Sequence, residues 1–191
     1  MRTLGALAIT SVFCVGCGFN AVVDADQDVQ AAWAEVQNQY QRRADLVPNL
    51  VQTVKGAADF ESETLTAVTE ARSQVAGLKI DKDTINDPAA LAKFEKAQSQ
   101  LGGALSRLLV SVERYPQLKA TQAFRDLNAQ LEGTENRIAV ARRRFIESVS
   151  AYNKIVLRFP SMIGAQLRGM STRPTFEATV ENAEQAPKVE F

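Results

Sequence analysis

A chain of 191 residues with 22 Lys and Arg balanced by 22 Asp and Glu is long enough for one domain with a real core and gives no electrostatic case for nucleic acid. It has no histidine, which removes the commonest general base and the commonest zinc ligand. Its two cysteines, Cys14 and Cys17, leave everything beyond residue 17 without a disulfide, a thiolate nucleophile or a thiolate metal site.

The first 17 residues, MRTLGALAITSVFCVGC, have the form of an export signal: Arg2 as a positive start, then an apolar or small stretch over 3–16, too short to span a bilayer comfortably. Cys14-Val15-Gly16-Cys17 resembles a bacterial lipobox, which implies cleavage before Cys17 and lipidation of that cysteine. Cys14 is atypical at its place in that motif, where an aliphatic residue is usual. The alternative is a short uncleaved signal anchor extended by Phe19, Val22 and Val23. Either way the rest of the chain lies outside the cytoplasm on a membrane. Gly18, by resemblance to enterobacterial lipoproteins, favours outer-membrane sorting, and the choice of membrane stays open.

Residues 18–26 read as a polar tether. From 27 to 44, Val29, Trp33, Val36 and Tyr40 recur at helical spacing and give one apolar face. Pro48 then interrupts: inside a continuing helix it would lose the bond to Ala44 and clash with that carbonyl. The expectation is a break or sharp kink at 44–46, with a new helix from 46 to about 58 capped by Asp45. Its inward residues would be Leu46, Leu50, Val51 and Val54. A helix follows at about 61–77 with Leu65, Val68, Ala71 and Val75 on one side. After a polar loop at 78–87, Asp87-Pro88 signals a helix start. That helix carries Leu91, Phe94, Leu101, Leu105, Leu108 and Val112, and should stop at Tyr115-Pro116.

The longest stripe runs from Phe124 through Leu127, Leu131, Thr134, Ile138, Ala141, Phe145, Val149, Tyr152 and Val156 to Phe159, where Pro160 ends it. Such a rod, on the order of 60 Å long at 1.5 Å per residue, needs partners of similar length. The fold expected is all-α, an elongated antiparallel bundle of about four long helices occupying 27–170. Residues 160–170 read as a short apolar turn or helix. The stretch 171–191 is an extended tail, packed on the bundle or mobile.

RRADLVPNLVQTVKG at 42–56, ETLTAVTEARS at 63–73, LGGALSRLLVSVERYPQLKA at 101–120, FRDLNAQLEGTENRIAVARRRF at 124–145 and the run from YNKIVLRFP at 152 to the terminal APKVEF resemble the LemA family in colinear order over 27–191. The resemblance implies a membrane-anchored, extracytoplasmic helical bundle, with members linked to membrane organisation, including formation of magnetosome membranes. Typical members carry a longer N-terminal transmembrane helix; the cysteine-terminated segment here departs from that.

Arg42, Arg43, Asp45, Asn49, Glu70, Arg72, Glu135, Asn136 and Arg137, with Tyr152 and Asn153, are the polar residues of these motifs. They read either as a buried ligand site or as a structural network at helix ends and joints, and the network is the expectation. In it, Arg43 pairs with Glu70 or Glu135 and Asn136 satisfies backbone freed at Pro48; such networks fix register more than they add stability. Glu132 and Glu135 sit one turn apart, but a bundle metal site of the Glu-x-x-His kind is impossible without histidine. Arg142-Arg143-Arg144 reads as a solvated face or one that meets anionic headgroups.

No catalytic motif emerges, so the expectation is a protein that is not an enzyme and uses no cofactor. Its partners would be membrane lipid through the N-terminus, further copies of itself, or an envelope protein. Three functions stand open: a scaffold that organises membrane, which is favoured, then an adaptor or client of an envelope protease, and last an enzyme with an unfamiliar site. The second would offer Val189 and Phe191, an apolar end beside a free carboxylate, for capture by strand addition.

Overall fold

The computed structural model describes residues 2–56, 60–81 and 83–176, with side chains from Asn20 onward. Among the described residues the chain is helical without strands. The elements are α1 (Arg2–Lys55), α2 (Ser62–Ala76), a 3-10 turn (Thr84–Asn86), α3 (Pro88–Val112), α4 (Pro116–Lys119), α5 (Gln122–Leu157) and α6 (Ser161–Leu167). α5 returns antiparallel along α1, while α2 and α3 form an antiparallel pair against the C-terminal half of α1. This is the elongated bundle expected from the stripes.

The caps follow the local rules. Asp87 accepts from the Ala89 amide at 2.9 Å with Pro88 in the first turn of α3, and Thr121 accepts from the Phe124 amide at 3.3 Å to start α5. Each satisfies a donor that the helix itself cannot. All six expected inward residues of α3 are buried. On α5 the expected stripe is buried from Phe124 to Val156, with Leu127 partly so.

Three expectations are corrected. First, α1 is not broken at 44–46: it runs as one helix to Lys55 with Pro48 inside it. Pro48 faces solvent, so its ring displaces nothing in the core, and the vacated Ala44 acceptor receives another donor (below). The register is continuous, so Val47, Leu50 and Val54 are buried while Leu46 and Val51 are partly buried. Second, residues 20–26 are not a tether but helix, with Val22 and Ala25 buried at 0% and 7% exposure. Third, Phe159 leaves the stripe and is exposed: Arg158 turns extended (φ −95°, ψ 140°), ending α5 at Leu157.

The interior is divided. One apolar cluster holds Val22, Val29, Trp33 and Tyr40 of α1, Leu91 and Phe94 of α3, and Ile138, Phe145, Val149 and Tyr152 of α5. Trp33 meets Phe94 edge-on at 5.2 Å and Phe145 at 5.4 Å between centroids; each such buried side chain contributes about 1.5–3 kcal/mol. The other cluster holds Val47, Leu50 and Val54 with α2, the rest of α3, Phe124 and Leu131. The 78–86 crossing is tied to α1 by Trp33 Nε1 donating to the Asp81 carbonyl at 3.3 Å, and Ile85 plugs into the first cluster.

The described part of the tail packs on the bundle. Tyr152 hydroxyl donates to the Ser171 carbonyl at 3.0 Å. Asn153 takes both sides of Arg173: its amide donates to the Arg173 carbonyl at 2.9 Å and its oxygen accepts from the Arg173 amide at 2.8 Å. The Arg173 guanidinium pairs with Asp26 at 2.5 Å and lies over the Tyr152 ring. Phe176 is buried against Phe145 and Trp33. Val189 and Phe191 lie outside the described residues, and the Cys17 side chain lies outside the described side chains.

Candidate functional site: a polar layer between two cores

The boundary between the two clusters is where polar side chains go inside. On α1 it falls between Tyr40 and Val47, on α3 between Phe94 and Ala97–Leu101, and on α5 between Leu131 and Ile138. Arg43, Gln98 and Thr134 are the buried polar residues of these intervals.

Arg43 is at the centre and 3% exposed. Its Nη1 donates to Glu135 Oε1 at 3.0 Å; its Nη2 donates to the Gln98 carbonyl at 2.9 Å and to Gln98 Oε1 at 2.6 Å. The cation also lies 5.0 Å from the Tyr40 ring centre. Three helices are thereby joined through one guanidinium, whose fixed fork suits several acceptors at once. Gly102 lies beside it: a Cβ there would stand in ordinary contact with Arg43 Nη1 at 3.5 Å. One atom, Nε of Arg43, is buried without a partner.

Two turns beyond Glu135 on α5, Arg142 donates Nη1 to the Tyr40 hydroxyl at 3.2 Å and Nη2 to Glu95 Oε1 at 2.9 Å. It covers the Phe176 ring at 4.1 Å. Burial works against its charge, but the bonds to Tyr40 and Glu95 outweigh that and hold its pKa above the usual value. The basic run is therefore split: Arg142 turns inward, and Arg143 and Arg144 are exposed.

On the other side of Arg43, Arg72 of α2 donates Nε to the Ala44 carbonyl at 3.1 Å. This is the acceptor that Pro48 cannot serve, so the donor at the proline is Arg72 and not Asn136, which is exposed on α5. Of the two partners expected for Arg43, the structure selects Glu135; Glu70 is exposed. Arg42, Asn49 and Arg137 are exposed, and Asp45 accepts locally from Gln41 at 2.8 Å. Asn49 offers its carbonyl to Thr53 at 2.8 Å.

Sequence reasoning missed Gln98, Glu95, Asp26 and Arg173, and took Arg142 for part of a solvated or headgroup-facing run although it bonds inward to Tyr40 and Glu95. Gln98 carried a readable signal, since it stands four residues after Phe94 and three before Leu101 on the apolar face of α3. Asp26 and Arg173 carried none, because their pairing joins α1 to a segment without periodicity.

A groove of about 570 Å³ opens over the layer, lined by Tyr40, Arg43, Glu95, Gly102, Glu135 and Arg142 among others. Both carboxylates in it already take an arginine. Among the described residues, no three of His, Cys, Asp and Glu are grouped to hold a metal. The arrangement joins α1, α3 and α5 through Arg43 and again through Arg142.

A model described as the LemA family matches residues 32–191. The chain is 26% identical over 158 residues to magnetosome protein MamQ of Magnetospirillum gryphiswaldense, covering 74% of this chain and 58% of the relative. It is 23% identical over 160 residues to protein LemA of Metamycoplasma hominis, covering 84% and 69%. Magnetosome protein MamQ 2 of Paramagnetospirillum magneticum is 23% identical over 177 residues, covering 83% and 64%. The chain thus spans less than two thirds of the length of these magnetosome relatives.

Proposed function

This chain belongs to the LemA family, and from that membership we propose that it is a non-catalytic helical scaffold, held by its N-terminus on the outer face of a membrane that it helps to organise. The observation that carries this reading is that α1 is one helix from Arg2 to Lys55. A lipid on Cys17, or an uncleaved segment before it, would therefore hold the bundle through a stiff element instead of a loose linker. The kinship with proteins named for the magnetosome supports a role on a membrane.

Two further features agree. Among the described residues no helix is long and apolar enough to cross a membrane; in this proposal attachment falls to the N-terminal segment, with Cys17 as the lipid acceptor. The inward arginines, Arg43, Arg72 and Arg142, are engaged by the bundle's own acceptors, which suits a structural part better than a reacting centre.

Electron microscopy of the native, lipidated protein with vesicles, beside a Cys17→Ala form, tests the reading. Ordered assemblies or remodelled vesicles, lost with Cys17→Ala, are expected. Discrete monomers on unchanged vesicles would overturn it and direct the search to partners of the segment ending in Val189-Glu190-Phe191.

A further inference from the structure

The end of the bundle where α5 turns into α6 leaves large apolar side chains uncovered. Leu157, Phe159, Ile163 and Leu167 are 66%, 77%, 47% and 78% exposed. They fall within eleven residues of sequence around one corner, whereas scattered exposed apolar residues need no explanation and clustered ones mark an interaction surface.

The height of this corner on the bundle identifies what it meets. Val156 of α5 and Ala165 of α6 share a core with Val22 of α1. Cys17 precedes Val22 by five residues in the same helix, about 7.5 Å of axial rise. The corner therefore stands at the level where the N-terminal segment would enter a bilayer.

The charges agree. Lys154 and Arg158 are exposed and flank Leu157 in sequence. Of the acidic residues of α1 at this level, Asp26 is taken up by Arg173, while Asp24 is exposed. Apolar side chains beside long cationic ones suit the boundary between acyl chains and anionic headgroups. There the lysine and arginine stems lie along apolar surface and their charges reach phosphate.

We propose that the α5–α6 corner is a second membrane contact, in which Leu157, Phe159, Ile163 and Leu167 enter the headgroup region of the same anionic bilayer that holds the N-terminus. The inference rests on the anchored-scaffold reading and adds the orientation. The bundle stands on the membrane, and its far end, near Lys55 and Val110, projects roughly 50 Å away.

The test uses the native, lipidated full chain with vesicles of phosphatidylcholine and phosphatidylglycerol containing brominated acyl chains. Ile163→Cys and, separately, Val110→Cys carry a fluorophore, with the unsubstituted protein as the labelling background. The label at 163 should be quenched and that at 110 should not. Adding Leu157→Glu and Leu167→Glu, both at exposed positions, should abolish the quenching while the protein stays on the vesicles. Vesicle-bound protein with no quenching at 163, or with a second copy cross-linked there instead, overturns the inference and spares the anchor. Protein not recovered with vesicles overturns the anchoring reading and this inference with it.

Discussion

Arg72 Nε supplies the Ala44 carbonyl, at 3.1 Å, with the hydrogen bond that Pro48 removed from α1. The helix survives its proline because a neighbouring helix repairs it. Arg72→Ala should therefore cost about 1–2 kcal/mol, the range for leaving a largely buried acceptor unserved. In a Pro48→Ala background the new peptide N–H can reach Ala44, and the same substitution should cost about 1 kcal/mol less. Urea denaturation of the four proteins measures this, and equal costs in both backgrounds would show that the contact repairs nothing.

The two ends of the Arg43–Glu135 bridge should behave unequally. Arg43 side chain is 4% exposed and that of Glu135 is 50% exposed. Arg43→Met deserts the carbonyl and the side-chain oxygen of Gln98 as well as Glu135, and should destabilise by about 2–4 kcal/mol. Glu135→Gln leaves the Gln98 bonds in place and should cost less than about 1 kcal/mol, because its carboxylate is half in water. Comparable losses for the two would contradict the layer's being centred on Arg43.

Gly102 and Gly103 lie in the interior of α3, where glycine is about 1 kcal/mol less favourable than alanine. A Cβ at Gly103 meets nothing within 4 Å, and one at Gly102 stands in ordinary contact with Arg43 Nη1 at 3.5 Å. Gly103→Ala should raise the midpoint of thermal unfolding by a few degrees. Gly102→Ala should be neutral to stabilising, whereas Gly102→Leu should disrupt the Arg43 bonds and lower it.

How much of this was legible depended on whether the cause was local. The stripes of α3 and α5 were, because a helix repeats its inward face every three or four residues and these faces are nearly all apolar. Arg43 was legible as one end of a pair, but Glu70 and Glu135 both stood as its partner, and the fold selects Glu135. The continuity of α1 through Pro48 was not: the local rule for proline is right about the lost bond, but the replacement donor is 28 residues away. The helix over 20–26 was hidden by Asp24 and Asp26, which make a polar stretch of a segment whose Val22, Ala25 and Val29 keep helical spacing. The tail up to Phe176 has no period to read, because single side chains, Asn153 and Asp26, hold it in place of a stripe.

That clasp gives the chain an alkaline weak point. Tyr152 is buried with its hydroxyl donating to the Ser171 carbonyl. Burial raises its pKa; Arg173 opposes the shift and Asp26 adds to it. The folded protein thus keeps this proton to higher pH than the unfolded chain does. Its stabilising contribution is complete below the ordinary tyrosine value of 10.0 and is lost as pH rises through the folded-state value. Stability should therefore fall above about pH 10, and hydrogen exchange at the Arg173 amide, held by Asn153, should speed up at lower pH than exchange in α3. Tyr152→Phe should cost about 1 kcal/mol at neutral pH through the lost hydrogen bond, and should flatten part of the alkaline decline. Asn153→Ala should release the Arg173 amide at every pH while leaving α1 and α3 protected. An alkaline decline of the same steepness in the wild-type and Tyr152→Phe proteins would place the titrating group elsewhere.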